Sequence, residues 1–127
     1  MTEQRSAADM VKEAKQHIEN LSPEQVKQEL ENGNATLIDI RERDELEQSG
    51  KIAGSVHAPR GMIEFYADDS LPYHKPEFQK DKRLILHCAS GGRSALAANT
   101  LKQMGYSNVA HLDGGFKGWK ESGMPVE

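Results

Sequence analysis

The sequence predicts an α/β fold in which a mostly parallel β-sheet is covered by helices on both faces. Two observations predict it. Apolar runs of strand length alternate along the chain with capped or amphipathic helical segments, and parallel strands need crossover connections that generally contain helices. The 127 residues suffice for one compact domain and are too few for two ordinary ones. One core and one site are therefore expected.

The elements follow in order. Met10, Val11, Ala14, Ile18 and Leu21 recur at three- and four-residue spacing and predict an amphipathic helix near the amino terminus, although His17 to Leu21 also reads as a short strand. Ser22, Pro23 and Gln25 supply an N-cap, an N1 proline and a capping-box partner, and Leu21 and Val26 sit at staple spacing. That helix runs to about Glu31, where Asn32-Gly33 stops it. Ala35 to Ile40 reads as a buried strand, Arg43 to Gln48 as a polar helical turn, and Gly54 to His57 as a strand closed by Pro59. A helix at Gly61 to Ala67 precedes an irregular, mobile stretch, Asp68 to Asp81, with Pro72 and Pro76. Arg83 to Cys88 is the clearest strand and Arg93 to Met104 the clearest helix, with Ala97, Leu101 and Met104 on one face and Gly105 as its stop. Asn108 to Leu112 is the last strand. Leu112, Phe116 and Trp119 read as core residues, and Gly114-Gly115 as a tight turn into a final helix.

Composition narrows the function. With 16 basic and 20 acidic residues the net charge is −4, which offers no broad footprint for nucleic acid. The longest apolar runs, such as Leu84-Ile85-Leu86, fall far short of the roughly 20 residues of a membrane span. Met1 to Asp9 is polar and lacks the apolar segment of a secretory signal, so a cytoplasmic location is expected. A single cysteine, Cys88, rules out an intramolecular disulfide and any multi-cysteine zinc site.

Strand, cysteine, small-residue loop and helix follow one another from Arg83 to Met104, with the loop reading Cys88-Ala89-Ser90-Gly91-Gly92-Arg93-Ser94. Loops leaving the carboxyl ends of parallel strands are the usual places for ligands. Two glycines let successive N–H groups turn inward as an anion cradle, and the positive end of the following helix favours thiolate over thiol. The alternative, a cysteine buried as a small core residue, leaves the Gly-Gly-Arg-Ser context without a purpose.

This loop resembles the active loop of the rhodanese domain, whose single-domain members are sulfurtransferases with a catalytic cysteine. Three further segments resemble the family in order: Leu37-Ile38-Asp39-Ile40-Arg41-Glu42, Gly54-Ser55-Val56-His57-Ala58-Pro59, and Leu112-Asp113-Gly114-Gly115 with Trp119. The resemblance covers Leu21 to Val126 and implies a three-layer α/β/α fold around a five-stranded, mostly parallel sheet whose first strand is His17 to Leu21. The chain is read as an N-terminal helical extension, 1–19, and a rhodanese-like domain, 20–127. The amphipathic extension either docks on the domain or joins a second subunit in a homodimer.

The family implies covalent catalysis in two half-reactions, with Cys88 attacking the outer sulfur of a donor such as thiosulfate and the resulting persulfide passing its sulfur to a thiol or protein acceptor. Backbone N–H groups of Ala89, Ser90, Gly91, Gly92 and Arg93 would stabilise the persulfide anion. No metal or organic cofactor is implied. Arg93 either binds the donor's sulfonate or braces the loop through a carboxylate, Asp39 or Glu45. Ser94 is a local hydrogen-bonder or touches substrate. Arg41 and Arg60 add positive charge near the cysteine or are merely salt-bridged. His57 lies near another strand end, within approach of the site, although spacing alone does not make a triad. His87 alternates to the opposite face from Cys88 and reads as a packed strand residue. Tyr66 and Tyr73 border the loop that is placed to shape donor access.

Two rivals differ in class. A cysteine phosphatase or arsenate reductase also uses a strand, cysteine cradle and helix, but Cys88 and Arg93 have four residues between them where the tyrosine phosphatase pattern has five. A persulfide carrier or regulatory module would use the same fold to serve a protein partner with little turnover.

Overall fold

The computed structural model describes residues 4–127; the first three residues of the N-terminal extension lie outside the described residues. Six α-helices, α1 (Ala7–Gln16), α2 (Pro23–Glu31), α3 (Arg43–Ser49), α4 (Ile63–Ala67), α5 (Gly92–Gln103) and α6 (Gly115–Glu121), alternate with five strands. The strands are β1 (Glu19–Leu21), β2 (Ala35–Asp39), β3 (Val56–His57), β4 (Arg83–His87) and β5 (Val109–Leu112). They join in the order β1-β5-β4-β2-β3, and their pairings among the described residues are parallel.

Local chemistry explains most boundaries. Ser22 accepts from Gln25 N–H while the Gln25 side chain accepts from Ser22 N–H, and Pro23 opens α2 where a missing N–H costs nothing. A second such box, Ser6 with Asp9, starts α1 at Ala7, earlier than the apolar spacing indicated. The segment Gly61 to Ala67 divides into a 3-10 turn, Arg60–Met62, and α4. The Asp68 to Asp81 stretch carries no helix or strand, as expected, and buried Phe78 pins it to the core beside Tyr66.

Period-two alternation divides the core into two layers. Leu84, Leu86 and Cys88 face one side of β4, against Ala97, Ala98 and Leu101 of α5, Ile63 of α4 and Phe78. Ile85 faces the other side with Leu37, Val26 of α2, and Phe116 and Trp119 of α6. Burial of β4 on both faces accounts for its continuous apolar run. Outside this sandwich α1 lies along α5 of its own chain, with Val11 3.8 Å from where a Cβ on Gly92 would sit. No helix among the described residues is long and apolar enough to cross a membrane.

Leu84 is completely buried in the central strand, at the end of the sheet away from Cys88. Leu84→Ala should cost about 3 kcal/mol through lost burial and the cavity left behind, read as a lower urea midpoint at unchanged slope. A cost below about 1 kcal/mol would show that the surrounding side chains collapse onto the gap.

Candidate active site

Cys88 follows β4 on the Leu86 face and is 1% exposed. Gly91, at φ +105°, adopts a left-handed turn that ordinary side chains resist, and thereby caps α5. The turn brings Gly91 N–H to 3.1 Å from Cys88 Sγ, and the first turn of α5 brings Ser94 N–H to 3.3 Å. Of the loop N–H groups expected to surround the sulfur, Gly91 thus contacts Sγ directly. Ser94, expected as a side-chain bonder, contributes its backbone as well. Among the described residues no backbone hydrogen bond reaches the sulfur from Ala89, Ser90, Gly92 or Arg93, which complete the loop around it.

The loop is clasped from behind. Phe116 N–H donates to Cys88 O at 2.8 Å and Lys117 N–H to Ala89 O at 3.0 Å. These bonds need Gly115 against the loop backbone: a Cβ there would lie 2.6 Å from Ala89 O and 2.7 Å from Cys88 O, and its φ is +63°. The Gly114-Gly115 pair is therefore more than the tight turn that spacing indicated. It is the seat on which the cysteine loop rests.

Two arginine–carboxylate pairs frame the site. Arg93 Nη1 and Nη2 donate to the two Glu45 oxygens at 2.8 Å each, a bidentate bond that fastens the front of α5 to α3. With Glu42 N–H also donating to Glu45, the Arg93 hydrogen bonds hold that carboxyl down to about 2 against a modest burial penalty. Asp39, the other candidate partner of Arg93, is instead committed to Arg41. Arg41 Nη2 donates to it at 2.8 Å and Nε at 3.1 Å, with both side chains buried. Burial opposes the Asp39 charge, but the Arg41 hydrogen bonds keep the carboxyl below its usual range. The Arg41 guanidinium also donates to Gly50 O and lies 4.2 Å over the Phe116 ring. It is thus a buried strut between β2 and α6, and not a solvated strand-end charge.

The remaining candidates fall around this frame. His57 Nε2 donates to Arg41 O at 2.6 Å and holds the backbone after β2. Arg60 pairs with Glu64 and borders a hollow with α1 and α5. His87 is buried beside Phe116, with Nε2 3.5 Å from Asp39 Oδ2 and no hydrogen bond to either ring nitrogen among the described residues. Burial pushes it down to about 4, so it packs as a neutral ring.

One residue that spacing did not single out touches the site. His111, on β5, is fully buried, and its Nδ1 lies 2.9 Å from Ser94 Oγ, which is 3.5 Å from Cys88 Sγ. The register pairs His111 with Leu86, and alternation turns it to the same face as Cys88. Only the strand order makes that visible. A hollow of about 400 Å³ opens beside the loop at Ala89, bounded by Arg41, Glu45, Phe116, Lys117 and Lys120. A larger one, about 730 Å³, lies at the opposite, amino end of the strands, where Arg83 is already paired with Glu19 and Glu29.

The rhodanese-like domain family matches residues 22–122. The chain is 36% identical over 104 residues to the thiosulfate sulfurtransferase GlpE of Pseudomonas aeruginosa, covering 81% of this chain and 84% of that one. It is 34% identical over 90 residues to a sulfurtransferase of Allochromatium vinosum, covering 71% and 76%. Among solved structures, a Rhodopseudomonas palustris protein of unknown function, described as a possible tyrosine phosphatase, superposes with a TM-score of 0.93 at 43% identity. That match covers 100% of this chain and 98% of the other.

The Glu45 carboxyl is depressed from 4.5 in the fold, so its contribution to stability is whole above about pH 4.5 and is lost as the pH falls toward 2. After solvent screening the pair is worth about 0.5–1 kcal/mol. The melting temperature of Glu45→Gln should lie a few degrees below that of the parent above pH 5, with the gap closing between pH 4.5 and 2; a gap constant down to pH 2 would refute the pairing. Gly115→Ala should cost about 2 kcal/mol by forcing the two loops apart, and an unchanged melt would show that the clasp yields without strain.

Proposed function

The chain belongs to the rhodanese family and has sulfurtransferase relatives, and from that premise we propose that it moves sulfane sulfur from thiosulfate or a related donor to a thiophilic acceptor through a persulfide on Cys88. The observation that carries the reading is the sulfur itself, set at the end of a buried parallel strand with two backbone N–H groups directed at it. Donors of this kind stabilise a sulfur anion once it has formed.

In the first half-reaction the Cys88 thiolate attacks the outer sulfur of thiosulfate. A bond forms between Sγ and that sulfur, the bond to the sulfonate sulfur breaks, and sulfite leaves with the electron pair. In the second, the acceptor attacks the outer persulfide sulfur and the Cys88 thiolate is the leaving group. Lys117 and Lys120, on the rim of the hollow beside Ala89, favour the approach of an anionic donor. Arg93 acts as a brace, because its guanidinium already holds both oxygens of Glu45. No second cysteine exists in the chain to resolve the persulfide, so the acceptor is a separate thiol or a protein.

The description of the Rhodopseudomonas palustris structure favours one rival, a phosphatase. Against it stand the four-residue interval between Cys88 and Arg93 and the engagement of Arg93 with Glu45, which leave a smaller cradle and no free guanidinium for a tetrahedral phosphate.

Incubation with thiosulfate should add the mass of one sulfur atom to the parent chain and nothing to Cys88→Ala; cyanide should then remove it as thiocyanate. Discharge by cyanide much slower than loading would identify a carrier awaiting a protein acceptor. No mass gain, with hydrolysis of an aryl phosphate by the parent and not by Cys88→Ala, would replace the reading with the phosphatase one.

A further inference from the structure

The hydrogen bonds behind Cys88 form one chain whose direction can be worked out atom by atom. Asn20 sits on β1, and its Nδ2 reaches the carbonyl oxygens of Lys15 at 2.9 Å and Ile18 at 3.2 Å. Carbonyls only accept, so Nδ2 is the donor there and Oδ1 is turned to His111 Nε2, 2.8 Å away. His111 Nε2 must then carry the proton, and Nδ1 of the neutral ring is an acceptor. The hydroxyl that reaches it, at 2.9 Å, is that of Ser94. Ser94 has one proton to give, and its other acceptor, Gly91 O, is more distant at 3.4 Å. With that proton directed at His111 Nδ1, the Ser94 oxygen presents lone pairs to Cys88 Sγ at 3.5 Å, an arrangement that matches a thiol and repels a thiolate.

We propose that His111 is the positioning residue that holds the Cys88 proton, taking it through Ser94 when the thiol becomes a nucleophile and returning it when the thiolate is released. In the forward step the S–H bond of Cys88 breaks as an O–H bond forms at Ser94, and the original Ser94 proton forms the Nδ1–H bond. The products are a thiolate and an imidazolium, with no net change in charge. The hydroxyl, now reversed, donates to the sulfur alongside the N–H groups of Gly91 and Ser94. Both end states satisfy every polar atom in the chain, and a buried thiol that is 1% exposed gains a proton acceptor without contact with solvent.

The charged groups facing His111 suit a transient proton. Burial pushes the ring down to about 4, Asp113 on the loop after β5 opposes that push from 4.0 Å, and Lys15 of α1 adds to it. Lys15 also holds Asp113 at 2.9 Å. An imidazolium here is therefore stable chiefly while the thiolate faces it through Ser94. Lys15 on α1 and Asn20 on β1 both precede the family match at residues 22–122, so the outer part of the device lies outside that match.

The inference shares with the proposed function the premise that Cys88 is the nucleophile, but it needs no sulfur donor and can be tested without one. The probe is iodoacetamide, with the alkylation rate of Cys88 followed by intact mass across pH 5–10. His111→Asn keeps an acceptor for the Ser94 hydroxyl and cannot take the proton; Ser94→Ala removes the bridge. Each should lower the rate at pH 7 about tenfold and raise the pH midpoint by about one unit, and the double variant should be no slower than either single one. Midpoints equal to that of the parent, or effects that multiply in the double variant, would overturn the relay. Nitrogen NMR of the parent gives a check independent of folding in the variants. His111 should be protonated at Nε2 and bare at Nδ1 while Cys88 is a thiol, and the opposite tautomer would also overturn it. Sulfur loading by thiosulfate in a protein that fails these tests would leave the proposed function standing, and success here without loading would leave the relay standing.

Discussion

Two backbones meet at the heart of this molecule. The loop after β4 and the turn after β5 approach so closely that the carbonyls of Cys88 and Ala89 accept directly from Phe116 and Lys117 N–H, with Gly115 supplying the space. Satisfying those carbonyls from behind leaves the loop free to curl its own N–H groups forward onto the sulfur. The same contact starts α6, which in turn buries Phe116 and Trp119 on the sheet and gives Arg41 an aromatic face to lie on. A side chain at Gly115 would separate the cradle from the helix that supports it.

Around that contact the fold places its charges with partners. Asp39 and Arg41 are both buried, an arrangement that is costly unless paired and hydrogen-bonded, and here each is. Glu45 and Arg93 perform the equivalent service nearer the solvent, tying α3 to the front of α5. The two histidines at the carboxyl ends of β4 and β5 lie on opposite faces of the sheet and meet different environments. His87 rests against Phe116 without a hydrogen bond among the described residues, whereas both nitrogens of His111 are engaged. A buried neutral ring with both nitrogens bonded transmits direction along a chain of hydrogen bonds; an unbonded one only fills space.

Local chemistry was legible in the residues themselves. The boundaries of α2 follow from Ser22, Pro23, Gln25 and Gly33, and the burial of β4 from its continuous apolar run. The candidate nucleophile stood out because a lone cysteine occurs between such a strand and a glycine-bearing helix start. Glu45 was legible as one of two candidate partners for Arg93, but the choice between it and Asp39 was not. Asp39 is taken by Arg41 two residues on, a bond that requires the chain after β2 to fold back over its own strand end. The capping box at Ser6 was written in the residues too, and apolar spacing alone passed over it.

Residue types and short spacings thus determined which segments are helix or strand, which atom is the candidate nucleophile and what loop surrounds it, because caps, alternation and glycine turns act over a few residues. Tertiary structure alone decided what stands behind that atom. Ser94 meets His111 across 17 residues, Arg93 meets Glu45 across 48, His111 meets Asn20 across 91, and Lys15 meets Asp113 across 98. These separations close only when parallel pairing sets β5 between β1 and β4 and sets β2 beside β4, a choice made by the packing of the whole sheet and not by any one segment of it.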